Sequence, residues 1–137
     1  MPNINNYVPH RKGTYPSFVS SENGCRHEAK NPGGKMVRQF KVDGEVFPSG
    51  SGPLRCDWLV LNDTDQHAYY IELKGSDIPH AIAQIEATIC ALPTYQNVSR
   101  RIIYKTNTMK MQDSAFTKWK AKHRDALVRH LTYTDTL

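Results

Sequence analysis

The sequence predicts a single α/β domain with a mixed central sheet flanked by helices, and three observations carry that expectation. Cys56–Leu61 and Ala68–Leu73 are short apolar runs of strand character, separated by a polar connection short enough to make them antiparallel neighbours. Helical spacing then takes over: Ile78, Ile82, Ile85, Ile89 and Leu92 recur at intervals of 4, 3, 4 and 3, an apolar stripe along one face. Beyond it Arg101–Lys105 reads as another strand, reached through a helical crossover and so able to run parallel to the strand before.

The elements follow in order. Residues 1–16 hold three Asn and three Pro without a usable period and read as an extended arm, leaving residues 17–137 as the folded domain. Ser17–Asn23, closed by Gly24, is expected to be a short helix. Cys25–Lys30 and Lys35–Val42 flank Asn31-Pro32-Gly33-Gly34 and read as a hairpin. Pro48–Pro53 is a loop. Ser76 or Asp77 caps the helix of the Ile stripe, Pro79 fits its first turn and Pro93 stops it. A final basic helix is expected from about Ser114 to Leu131, with Phe116, Trp119, His123, Leu127 and Leu131 on one side.

At 137 residues with 39% hydrophobic and 23% charged content, the chain can bury one core, and a disordered tail is excluded. No apolar run approaches the roughly 18 residues of a membrane span, and Met1–Asn6 lacks the pattern of a secretory signal, so a cytoplasmic protein is expected. Cys25, Cys56 and Cys90 show no Cys-x-x-Cys spacing and are expected to be reduced, with no role for zinc.

The net charge of +5 is unevenly distributed. Residues 1–40 carry six Lys or Arg against two acids, and residues 100–130 carry nine against Asp113 and Asp125. Residues 41–99 reverse this, with three basic residues against eight acids. Basic flanks suit a polyanion, and an acidic centre suits a metal placed among its phosphates. Arg100, Arg101, Lys118 and Lys122 are the candidate nucleic-acid contacts.

Side chains alternate along a strand, so Glu72 and Lys74 share one face, and Asp57 at the head of the preceding strand should lie near them. Two carboxylates and an amine converging at a sheet edge suit hydrolysis of a phosphodiester assisted by Mg2+ or Mn2+. The carboxylates offer hard oxygen ligands, and Lys74 would orient the attacking water or stabilise developing charge.

Asp57 followed by Glu72-Leu73-Lys74, on successive strands ahead of an amphipathic helix, resembles the signature of the PD-(D/E)xK nuclease superfamily, the restriction-endonuclease-like fold. Its αβββαβ core is similar to the order read from Ser17 to Lys105, about two thirds of the chain. The resemblance implies a metal-dependent endonuclease, with DNA favoured over RNA and a homodimer reaching both strands. It also implies Asp57, Glu72 and the Leu73 carbonyl as metal ligands, Lys74 serving the water, Gln84 as the helical Gln of some branches, and Glu22 as the acid of the first helix, with Glu28 second. Cys56 stands where the pattern's name has a proline. Glu28-Ala29-Lys30 also matches acid-x-Lys but lacks the strand and helix context, and reads as a surface pair. The alternatives are a nucleic-acid-binding or assembly protein of the same fold without turnover, and an RNA nuclease or effector.

Overall fold

The computed structural model describes residues 3–74, 76–106 and 114–137. Among the described residues two sheets and two α-helices make a mixed α/β architecture in three layers. The central layer has six strands in the order β1 (Arg11–Gly13), β4 (Val37–Lys41), β5 (Trp58–Asn62), β6 (His67–Lys74), β7 (Asn97–Tyr104) and β8 (Leu127–His130). A second, three-stranded sheet pairs β2 (Ser17–Glu22) antiparallel to β3 (Cys25–Lys30), and β3 parallel to β9 (Thr132–Thr136). Helices α1 (Ile78–Ala91) and α2 (Ser114–Lys122) complete the fold.

Strand alternation builds both cores. Leu59 and Leu61 of β5 and Tyr70 of β6 point to the helices and pack with Ile78, Ala81, Ile85 and Trp119. Trp58, Val60, Tyr69, Ile71 and Leu73 point the other way, against Phe18, Cys25 and Ala29 of the small sheet. The helices therefore cover one face only, and the second sheet covers the face where helices were also expected. Gln39, buried in β4, donates to the Val19 carbonyl and to the Ser20 hydroxyl at 2.9 Å each, tying the two sheets together.

The central expectations hold. β5 and β6 are antiparallel, and β7 runs parallel to β6 after the α1 crossover. Asp77 caps α1 by accepting from the His80 amide. Residues 3–16, expected as an arm, join the fold: β1 pairs with β4, and Ile4 is 3% exposed.

Three further expectations are corrected. The helix expected over Ser17–Asn23 is instead the strand Ser17–Glu22, because Phe18 and Ser20 both turn inward at period two, and Asn23 (φ 54°) with Gly24 (φ 75°) forms a tight hairpin turn instead of a helix stop. Cys25–Lys30 and Lys35–Val42 do not pair with each other; the turn at Asn31, whose side chain bonds the Tyr15 and Lys35 carbonyls, carries the chain from one sheet to the other. The final helix ends at Lys122, and the remainder forms β8 in the large sheet and β9 in the small one. Leu131 (φ 65°) makes that corner: its amide donates to Tyr104 and its carbonyl accepts from Arg26. Among the described residues no helix is long and apolar enough to cross a membrane.

Candidate active site

Register brings the acidic residues together. Trp58 lies opposite Ile71, so the next pair outward sets Asp57 opposite Glu72 on the face that also carries Tyr70 and Lys74. The Asp57 carbonyl accepts from the Val42 amide at 2.8 Å, which prolongs the β4–β5 ladder and fixes Asp57 at the sheet end. Its side chain accepts from the Leu73 amide at 2.9 Å. Glu72 is 2% exposed and Asp57 6%. Lys74 Nζ stands 3.8 Å from Glu72 Oε2 and donates at 2.9 Å to Gln84 Oε1 on α1. Gln84 is held in turn, its amide donating to the Arg55 carbonyl at 3.1 Å.

Glu22 reaches the site from a different element than expected. The β2–β3 turn is anchored over the end of β6, where Asn23 Nδ2 donates to the Leu73 carbonyl at 2.9 Å and Cys25 Sγ lies 3.8 Å from the Lys74 carbonyl. That seats Glu22, the last residue of β2, close enough to Asp57 for the two carboxyl groups to raise each other's resistance to ionising. Glu28 is elsewhere: it faces outward on β3 and accepts from Ser17 and Arg26. His80 is exposed.

Burial and mutual repulsion set the protonation of the three acids. Glu72 is pushed up to about 9 by burial and then by the Asp57 charge, with Lys74 only partly offsetting them. Asp57 is raised by burial against the opposing Leu73 hydrogen bond. Glu22 is raised by burial and by Asp57. Such a cluster resists ionising as a whole, and a cation placed among the acids would favour their charged forms.

The residues present fit a hard divalent ion. Glu22 Oε2 and Glu72 Oε1 are buried oxygens that receive no hydrogen bond. Among the described residues no three His, Cys, Asp or Glu side chains are arranged to hold a metal by themselves. One or two carboxylates, completed by water and phosphate oxygens, is the usual arrangement for Mg2+. The Leu73 carbonyl already accepts from Asn23, which leaves it one lone pair.

Asp43 and Arg55 belong to the surroundings of this site. Arg55 bonds Asp43 at 2.8 Å and the carbonyls of Pro48, Ser51 and Pro53, holding the Pro/Gly-rich loop beside Gln84. A cavity of about 280 Å3 lies there, lined by Asp43, Arg55, Gln84 and the loop.

The basic candidates separate into two kinds. Arg100 is clamped between Glu86 at 2.7 Å and Asp125 at 2.9 Å. Arg101, 8% exposed, is bound by Asp135 at 2.8 Å and by the Asp125 carbonyl. Both arginines hold the fold together, because their donors are already committed to internal acceptors. Lys118 and Lys122 are exposed on α2. Cys25, Cys56 and Cys90 are free thiols, the first two buried.

A scan of protein families and searches of curated proteins and of solved structures found no match to this chain.

Proposed function

We propose that the protein is a metal-dependent endonuclease that hydrolyses phosphodiester bonds in nucleic acid, DNA in the first instance, on a core of restriction-endonuclease-like order. The observation that carries this reading is the meeting of Asp57 and Glu72 across adjacent strands, buried, with the Lys74 amine 3.8 Å from Glu72. The run β4–β5–β6–α1–β7, three antiparallel strands followed by a parallel crossover, supports the fold assignment. Its departure is at the start, where β2 and β3 stand in place of the leading helix.

Asp57 and Glu72, with the Leu73 carbonyl, would hold Mg2+ or Mn2+, and Glu22 would support them. When bound, the ion neutralises phosphate charge and acidifies a water. The chain's own residues do the rest. Gln84 fixes the Lys74 ammonium beside the carboxylates, where it can orient the attacking water or stabilise the phosphoryl oxygens. Burial keeps bulk water from screening these charges.

Purified protein incubated with plasmid DNA, branched DNA and RNA, in Mg2+, Mn2+ or EDTA, tests this. Cleavage that needs the ion and disappears in Glu72→Gln supports the proposal. Absence of metal-dependent cleavage of all three nucleic acids would return the chain to a binding or assembly role.

A further inference from the structure

Four strand ends meet at the edge that carries the acids. β4 ends at Lys41, β5 begins beside Asp57, β6 ends at Lys74, and β7 gives way to Lys105; pairing of Lys41 with Trp58, Trp58 with Ile71 and Lys74 with Tyr104 puts all four at one end of the sheet. The carboxylate strands β5 and β6 therefore lie between Lys41 and Lys105. Three strand spacings of about 4.8 Å separate β4 from β7, so the two lysines leave the backbone roughly 14 Å apart, on either side of the acids.

Each lysine is held by its strand, and among the described residues neither forms a close ion pair. The Lys105 amide donates to the Lys74 carbonyl at 3.0 Å, and its side chain runs along Gly24, at whose position a Cβ would come within 3.5 Å of Lys105 Cδ. Lys41 lies with its ammonium 6.0 Å from the centre of the Trp58 ring. Among the described residues neither has a carboxylate partner within 4 Å. By contrast Lys35, Arg38, Arg55, Lys74, Arg100 and Arg101 are all paired.

We infer that Lys41 and Lys105 are substrate-positioning residues that hold the phosphates on either side of the one presented to Asp57 and Glu72, so that the site takes an extended polynucleotide strand in preference to a lone phosphodiester. The inference rests on the function proposed above and adds to it the residues that select for chain length.

Binding of 20-nucleotide DNA and RNA probes, followed by fluorescence anisotropy across a salt series, tests it in a Glu72→Gln background where binding is read without cutting. Lys41→Gln and Lys105→Gln are each expected to weaken binding about fivefold and to reduce the salt slope by about one phosphate contact. The effect should appear on both probes, because the contacts are to phosphate. Lys30→Gln, at the far end of β3, should leave the slope unchanged. In the cleaving protein both site variants should raise KM more than they lower kcat. An unaltered slope in either site variant, an equal change in Lys30→Gln, or a fall confined to kcat overturns the inference and leaves the proposed function standing; absence of metal-dependent cleavage by the unaltered protein overturns the function itself.

Discussion

Replacing Glu72 by Gln keeps the shape of the site and removes one buried charge, and its effect on stability follows from the geometry. A glutamate in the unfolded chain ionises near 4.5, whereas in the folded protein Glu72 ionises only at about 9, because burial and the Asp57 carboxylate oppose its charge. Between those limits the folded state keeps a proton that the unfolded state has released, so this group's contribution is intact below 4.5 and is lost as pH rises toward 9. At 1.36 kcal/mol per pH unit the loss amounts to about 3 kcal/mol by pH 7. Gln has no such loss, and its amide can donate to Asp57 in place of the carboxyl proton. An amide imperfectly fitted to that pocket gives back about 1 kcal/mol. Glu72→Gln should therefore be more stable than the parent by about 1–3 kcal/mol at pH 7 in EDTA. The gain should shrink toward pH 5 and grow toward pH 8.5. Urea unfolding at the three pH values measures it. A variant no more stable at pH 8.5 than at pH 5, relative to the parent, would refute the placement of Glu72 beside a second charged acid.

Other consequences are open to measurement. Lys74→Ala should lower metal-dependent cleavage by about 100-fold or more while the circular dichroism spectrum and melting transition remain those of a folded protein. Gln84→Ala frees the Lys74 ammonium from its 2.9 Å hydrogen bond and should lower kcat about tenfold with KM little changed. Gly24→Ala places a side chain at φ +75°, which should cost about 1 kcal/mol in urea unfolding. Asp135 is raised by burial but lowered further by His27 and Arg101, to about 2, so its contribution is present above 3.8 and is lost as pH falls toward 2. Asp135→Asn should lose about 3–5 kcal/mol near neutral pH, because Arg101 is left buried without its partner, and should flatten the acid limb of the stability profile; an unchanged acid limb would count against the ion pair.

The strands of the site were legible because each is an uninterrupted apolar run, and the Ile stripe of α1 has no reading but a helix. Once those strands are antiparallel, Asp57 must face Glu72. The two sheets were not legible. Ser20 is buried although polar, since Gln39 bonds it, and a buried serine hides the alternation Phe18, Ser20 that marks β2. Asn23-Gly24 is a strong hairpin signal, but the same pair also suits the end of a helix, and only the strand before it decides between the two. Glu22 thus reaches Asp57 from a strand. At the C-terminal end Trp119, His123, Leu127 and Leu131 repeat at helical spacing, yet Val128 belongs to β8, and β9 is defined by pairing with the sequence-distant β3. Likewise the adjacent Arg100 and Arg101 look like a basic patch until Glu86, Asp125 and Asp135 are found around them. Pairing with remote partners is a property of the folded chain, and no local pattern in the sequence announces it.

Calorimetric titration of Mn2+ into the metal-free protein tests most directly whether the buried acids form a cation site. Saturable binding is expected in the parent and in Lys74→Ala, with loss of that binding in Asp57→Asn and Glu72→Gln. Equal binding by all four proteins, or no binding by the parent, would contradict the assignment.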